Sequence, residues 1–147
     1  MLRTTLFCAM IRQLFTEKTS RIVWTLLLAG AGIAHLIMPK WFVSYYPSYM
    51  PFASSAHDVV VISGLVEFVV AALLWTSRTR RIAWLSIAAL MVLYTPVHVY
   101  VITHHDVIAH LPLNIPLWVA WLRLPVQFVF VWWAGYEAIF DHHEVRR

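Results

Sequence analysis

Residues 59–75 read VVVISGLVEFVVAALLW, an apolar run whose single carboxylate, Glu67, lies eight residues from either end. A run of this length and composition reads as a membrane span. Insertion scales put an acidic residue at the centre of a span at roughly 2.5 to 3.5 kcal/mol, so such a residue turns toward neighbouring helices. There it finds a partner or takes up a proton. Two roles fit Glu67: a hydrogen bond that locks helix packing, and a ligand or proton site. Either way, the rest of the chain must fold into something that shelters it.

Composition agrees with a membrane setting. The 147 residues are 61% hydrophobic and 12% charged, with a mean hydropathy of +0.72. Soluble domains carry roughly 25% charged residues. The net charge of +4 does not point to nucleic acid, because the basic residues sit in short clusters between apolar runs. Clusters of that kind set topology. Cys8 is the single cysteine, so neither an intramolecular disulfide nor a Cys-x-x-Cys redox pair can form. A C-x-x-C-H haem motif and a Gly-rich phosphate loop are absent as well.

In chain order, residues 1–20 form an amphipathic segment. Phe7, Met10, Ile11, Leu14 and Phe15 recur at helical spacing among Arg3, Arg12 and Lys18, an interfacial pattern, and Thr19 or Ser20 is placed to cap the next helix. Four spans follow, at about residues 21–38, 59–75, 82–102 and 117–136, and a polar tail occupies 137–147. Gly30 and Ala34 offer a small-x-x-x-small face in the first span. Aromatic and proline residues crowd the loop at 40–56, as at a membrane boundary. Pro96 and Pro125 lie inside the third and fourth spans, and Pro96 predicts a kink. The expected fold is all-α, a four-helix transmembrane bundle with short antiparallel connections.

Basic residues predict the orientation. Arg3, Arg12, Lys18 and Arg21 precede the first span, Arg78, Arg80 and Arg81 fill the middle turn, and Arg146 and Arg147 end the chain; the other two loops hold only Lys40. Both termini are therefore expected to be cytoplasmic, and the compact format leads us to expect a bacterial inner membrane. At 1.5 Å per residue, Glu67 then lies about 12 Å in from the external end of its span, and Arg123 about 9 Å. His35 and His98 lie about 5–6 Å in. Each span brings one ionisable group to the outer half of the bilayer. Pairing Glu67 with Arg123 would neutralise both, with Ser63 and Gln127 one turn away to satisfy remaining lone pairs and donors. His35 and His98 would line the mouth, beside Tyr94 and Trp121.

A second constellation, His104, His105, Asp106 and His110, has side chains suited to zinc, but its spacing matches no standard motif, and solvated loop histidines are the plainer expectation.

In order and spacing, residues 29–134 resemble the DoxX family of small four-span membrane proteins. The resemblance rests on GAGIAHLIMP, the Tyr-Pro and Met-Pro pair in the loop, SGLVEFVVAALL, RTRRIAWLSIAALMVLYTP and WLRLPVQFVFVWWA. It implies that His35, Glu67, Arg123 and Gln127 occupy family motif positions. Position 98 departs from the pattern, since many members carry Asn there. The family is named for a subunit of a thiosulfate:quinone oxidoreductase, and some members are associated with membrane redox complexes.

The functional expectation is an accessory subunit, or a small lipophilic-ligand site of quinone type, serving a membrane redox system. Its partners would be the lipid bilayer and a membrane redox protein or a second copy of the chain. The alternative is a structural or assembly protein in which the Glu67–Arg123 pair only holds the bundle. Transport is the weakest option, since no inverted repeat is evident.

Overall fold

The computed structural model describes residues 17–108 and 115–140. Its helices are α1 (Glu17–Ile37), α2 (Pro39–Val43), α3 (Ala56–Leu73), α4 (Arg80–Thr103), α5 (His105–Ile108) and α6 (Leu117–Phe140), with a 3-10 turn at Ala53–Ser55 before α3. There is no strand among the described residues. Helices α1, α4, α6 and the stretch from the 3-10 turn through α3 are each long and apolar enough to cross a membrane. The expected all-α architecture of four spanning helices is therefore what forms.

The four helices make two closely packed antiparallel pairs, α1 with α3 and α4 with α6. In the first pair, Trp75 donates its indole N–H to Thr25 at 3.0 Å near one end, and Gly32 meets Gly64 toward the other. In the second, Ala83 and Ala134 share one core cluster, while Val101 and Ala120 share another. Trp24 of α1 joins the pairs: its ring lies 5.1 Å from that of Phe130 and 5.6 Å from that of Trp133. Outside this core, Leu26, Trp118 and Phe128 are 68%, 69% and 68% exposed. Side chains this apolar and this open need lipid around them.

The short turn between α3 and α4 is held by its own polar groups. Thr79 Oγ1 donates to the Leu73 carbonyl at 2.9 Å, and Arg80 Nε to that of Leu74 at 3.2 Å. Arg80 also reaches the Glu17 carboxylate, which lies 3.5 Å from Arg21 Nε. The start of α1 and the basic turn thus share one end of the bundle. The α1–α3 connection lies at the opposite end. There Tyr46 donates to the Pro51 carbonyl at 2.6 Å, and Phe52 takes a left-handed conformation, φ 63°.

Three expectations about the elements need correction. The chain is already helical at Glu17, the first described residue, and Ser20 is not a cap: it is buried inside α1, where its hydroxyl accepts the Trp133 indole N–H at 3.1 Å. Residues 1–16 lie outside the described residues, and with them most of the amphipathic segment. At the other end, α6 continues to Phe140, and Glu137, assigned to the polar tail, is buried within it. Finally, the close-approach glycine of α1 is Gly32, since a Cβ on Gly30 would meet nothing within 4 Å.

Candidate functional site

The crossing of α1 and α3 sets the geometry around Glu67. A Cβ on Gly32 would lie 2.9 Å from the Gly64 carbonyl oxygen, and a Cβ on Gly64 would lie 2.9 Å from His35 Cβ. Two glycines facing each other let the backbones touch, which small residues permit in membranes. His35, one turn beyond Gly32, is thereby pressed against α3. Its Nδ1 lies 3.0 Å from Glu67 Oε2 and 3.5 Å from the Ser63 hydroxyl. The Ser63 hydroxyl itself donates back to the Val60 carbonyl at 2.8 Å.

Helix α4 supplies the other half. Tyr94 donates its phenol to Glu67 Oε1 at 2.9 Å. Glu67 is 1% exposed, and both its oxygens are engaged, Oε2 by the His35 imidazole and Oε1 by the Tyr94 phenol. The phenyl ring of Phe42, in α2, stands edge-on to the His35 imidazole at 4.2 Å and covers the cluster from the connecting loop. Three helices therefore converge on one carboxylate: His35 from α1, Ser63 and Glu67 from α3, and Tyr94 from α4.

The expected Glu67–Arg123 pair does not form. Glu67 takes His35 as its hydrogen-bond partner, and Arg123 has no carboxylate partner among the described residues. The reason lies in the pairing of helices: α3 lies against α1, while α6, which carries Arg123, lies against α4. The electrostatic neighbours of Arg123 are Tyr45 in the connecting loop and His98 on α4. Burial pushes the Tyr45 phenol above its ordinary pKa, and the Arg123 guanidinium opposes that shift. His98 has a buried Nδ1 with no hydrogen-bond partner among the described residues.

Gln127 serves neither charge. Its amide donates to the Met91 carbonyl across the α4–α6 contact, and Thr95 Oγ1 donates to that same carbonyl at 3.1 Å. The site falls beside Pro96, which cannot donate to the Val92 carbonyl as an ordinary residue would. Both side chains donate to the Met91 carbonyl, the neighbour of the one that the proline deprives of its backbone donor.

The His-rich loop is only partly described. His104 stacks on Tyr100 at 4.2 Å, His105 Nε2 donates to the Ile115 carbonyl at 3.0 Å, and the Asp106 residue is exposed. His110 lies outside the described residues, and among those described no three His, Cys, Asp or Glu groups come together as a metal site.

Tyr94, expected only as an aromatic beside the mouth, is a full member of the cluster. Its signal was present: it lies four residues before His98, on the same face of α4. Tyr45 carried no comparable signal, because its approach to Arg123 depends on how the loop folds back.

Residues 24–137 match a family described as a domain of unknown function, DUF8561. The chain belongs to that family. The matched stretch includes all of α3 and α4, and α6 as far as Glu137, so every residue of the Glu67 and Arg123 clusters lies inside the DUF8561 domain. No curated protein and no solved structure matches the chain.

Proposed function

We propose that this DUF8561 protein is an accessory subunit of a membrane redox system, with a small lipophilic-ligand site of quinone type around Glu67. One observation carries the proposal: Glu67 is held within the bundle by His35 and Tyr94, at 3.0 and 2.9 Å, and not by a guanidinium. A guanidinium would fix the carboxylate as a permanent anion. A carboxylate bonded to an imidazole and a phenol has no fixed positive charge beside it and belongs to a hydrogen-bonded chain, and quinone reduction needs protons as well as electrons. Electrons would come from a partner protein. The resemblance to the DoxX family points the same way, and the expected orientation, with both termini in the bacterial cytoplasm, places the cluster in the outer half of the inner membrane.

A separate groove lies on the lipid-facing surface, and none of His35, Ser63, Glu67 or Tyr94 lines it. The helix that presents Tyr94 to Glu67 also presents Thr95 and Pro96 to this open groove of about 540 Å³ between α4 and α6, with Gln127 and Phe128 on its other wall. That volume suits a small ligand.

A structural reading is favoured by one observation: both Glu67 oxygens already have protein donors, as a packing lock requires. Quinone extraction separates the two. Protein purified from native membranes in mild detergent should carry quinone, and Glu67→Gln should lose it while keeping its fold. Absence of quinone from the wild type, or equal quinone in both proteins, would favour the structural lock.

A further inference from the structure

Arg123 is a half-buried cation on a membrane-spanning helix, and no described residue gives it an ion pair or a hydrogen bond. Charges inside a span are expensive and are ordinarily paired. Glu67, the carboxylate in the middle of α3, is already committed to His35 and Tyr94. Tyr45 cannot be the missing counter-charge, because burial keeps its phenol protonated at neutral pH. His98, the other electrostatic neighbour, brings a second deficit, an Nδ1 that is buried without a partner among the described residues.

The site also lies at a suitable depth. Arg123 is six residues from the start of α6, a rise of about 9 Å, and its long side chain can reach the headgroup level. Tyr45 belongs to the connecting loop at that end of the bundle. A guanidinium binds phosphate through paired N–H donors, with geometry that suits it better than a single carbonyl does. A phosphate has acceptor oxygens left over for a neighbouring imidazole, once the His98 ring turns about its Cβ–Cγ bond.

We propose that Arg123, flanked by His98, is a binding site for a phosphate oxyanion, carried either by a phospholipid headgroup or by a small soluble phosphate. It uses different residues from the Glu67 cluster and does not depend on a redox role.

Thermal unfolding of the full chain in neutral detergent tests this. The additions are phosphatidylglycerol, diacylglycerol with the same acyl chains, inorganic phosphate, and chloride at matched ionic strength. Phosphatidylglycerol or inorganic phosphate should raise the Tm of the wild type, while diacylglycerol and chloride should not. A rise with the lipid alone assigns the headgroup, and a rise with both assigns the free anion as sufficient. Arg123→Gln should abolish the rise, and Arg78→Gln, at an exposed arginine of the basic turn, should keep it. No rise in the wild type, or an equal rise in Arg123→Gln, overturns the proposal. Should Arg123→Gln fail to fold, phosphorus retained by purified wild type decides: an equimolar amount that survives detergent washing supports the site, and none overturns it.

Discussion

Gly32 and Gly64 meet where α1 crosses α3, so closely that a Cβ on Gly32 would come within 2.9 Å of the Gly64 carbonyl oxygen. The contact carries His35 to Glu67, since a Cβ on Gly64 would strike His35 Cβ at 2.9 Å. Gly64→Ala should therefore destabilise the protein by about 1–3 kcal/mol, the usual cost of overpacking, and separate His35 from Glu67. Gly30→Ala, at an open position, should be neutral or gain up to about 1 kcal/mol from helix propensity. Thermal melts in detergent check both. Equal effects at the two positions would mean that the helices are not in contact there.

Tyr45 should make the protein sensitive to alkali. Its phenol is raised above the ordinary value of 10.0 by burial. A group raised on folding contributes stability that is complete below its unfolded pKa and is lost as pH climbs through the folded pKa. Stability should therefore fall above about pH 10, the ordinary phenol value, and Tyr45→Phe should flatten that fall. Arg123→Gln, by removing the cation that opposes the shift, should move the Tyr45 transition to still higher pH. Melts across pH 8–12 with ultraviolet titration of tyrosinate would follow it, and an unchanged alkaline limb in Tyr45→Phe would count against a buried phenol.

Much of the fold was legible because the signals were local. Four apolar runs separated by polar turns specify four helices, and Pro39 stops α1 by the expected rule. Pairing was not legible. Depth arithmetic places Glu67 and Arg123 at similar levels, but depth fixes position along a helix axis and says nothing about which helices adjoin. The deciding information, contact between Gly32 and Gly64, lies between residues distant in sequence, and the small-residue spacing points to Gly30 and Ala34 instead. Arg80 shows a similar limit. As a basic residue in a turn it reads as a topology marker, yet it is also buried, binding the Leu74 carbonyl and Glu17.

The orientation can be read with reporter fusions. Fusions at Thr79 and at the C-terminus should report the cytoplasm, and fusions at Ser54 and Val107 the external side. The structure places the start of α1 at the same end as the 74–79 turn, through Glu17 and Arg80, so an external Thr79 would carry the N-terminal side of α1 with it. The Glu67 cluster would then belong to the inner half of the membrane.

The most direct test of the Glu67 cluster is a pair of double-mutant cycles read by thermal stability in one detergent. One combines Glu67→Ala with His35→Ala, the other Glu67→Ala with Arg123→Ala. Residues in contact show interaction energies of about 0.5–3 kcal/mol, whereas separated ones add to within about 0.3–0.5 kcal/mol. Coupling is expected between Glu67 and His35, with the double mutant less damaged than the sum of its parts, and near-additivity between Glu67 and Arg123. A larger coupling to Arg123 than to His35 would contradict the cluster described here.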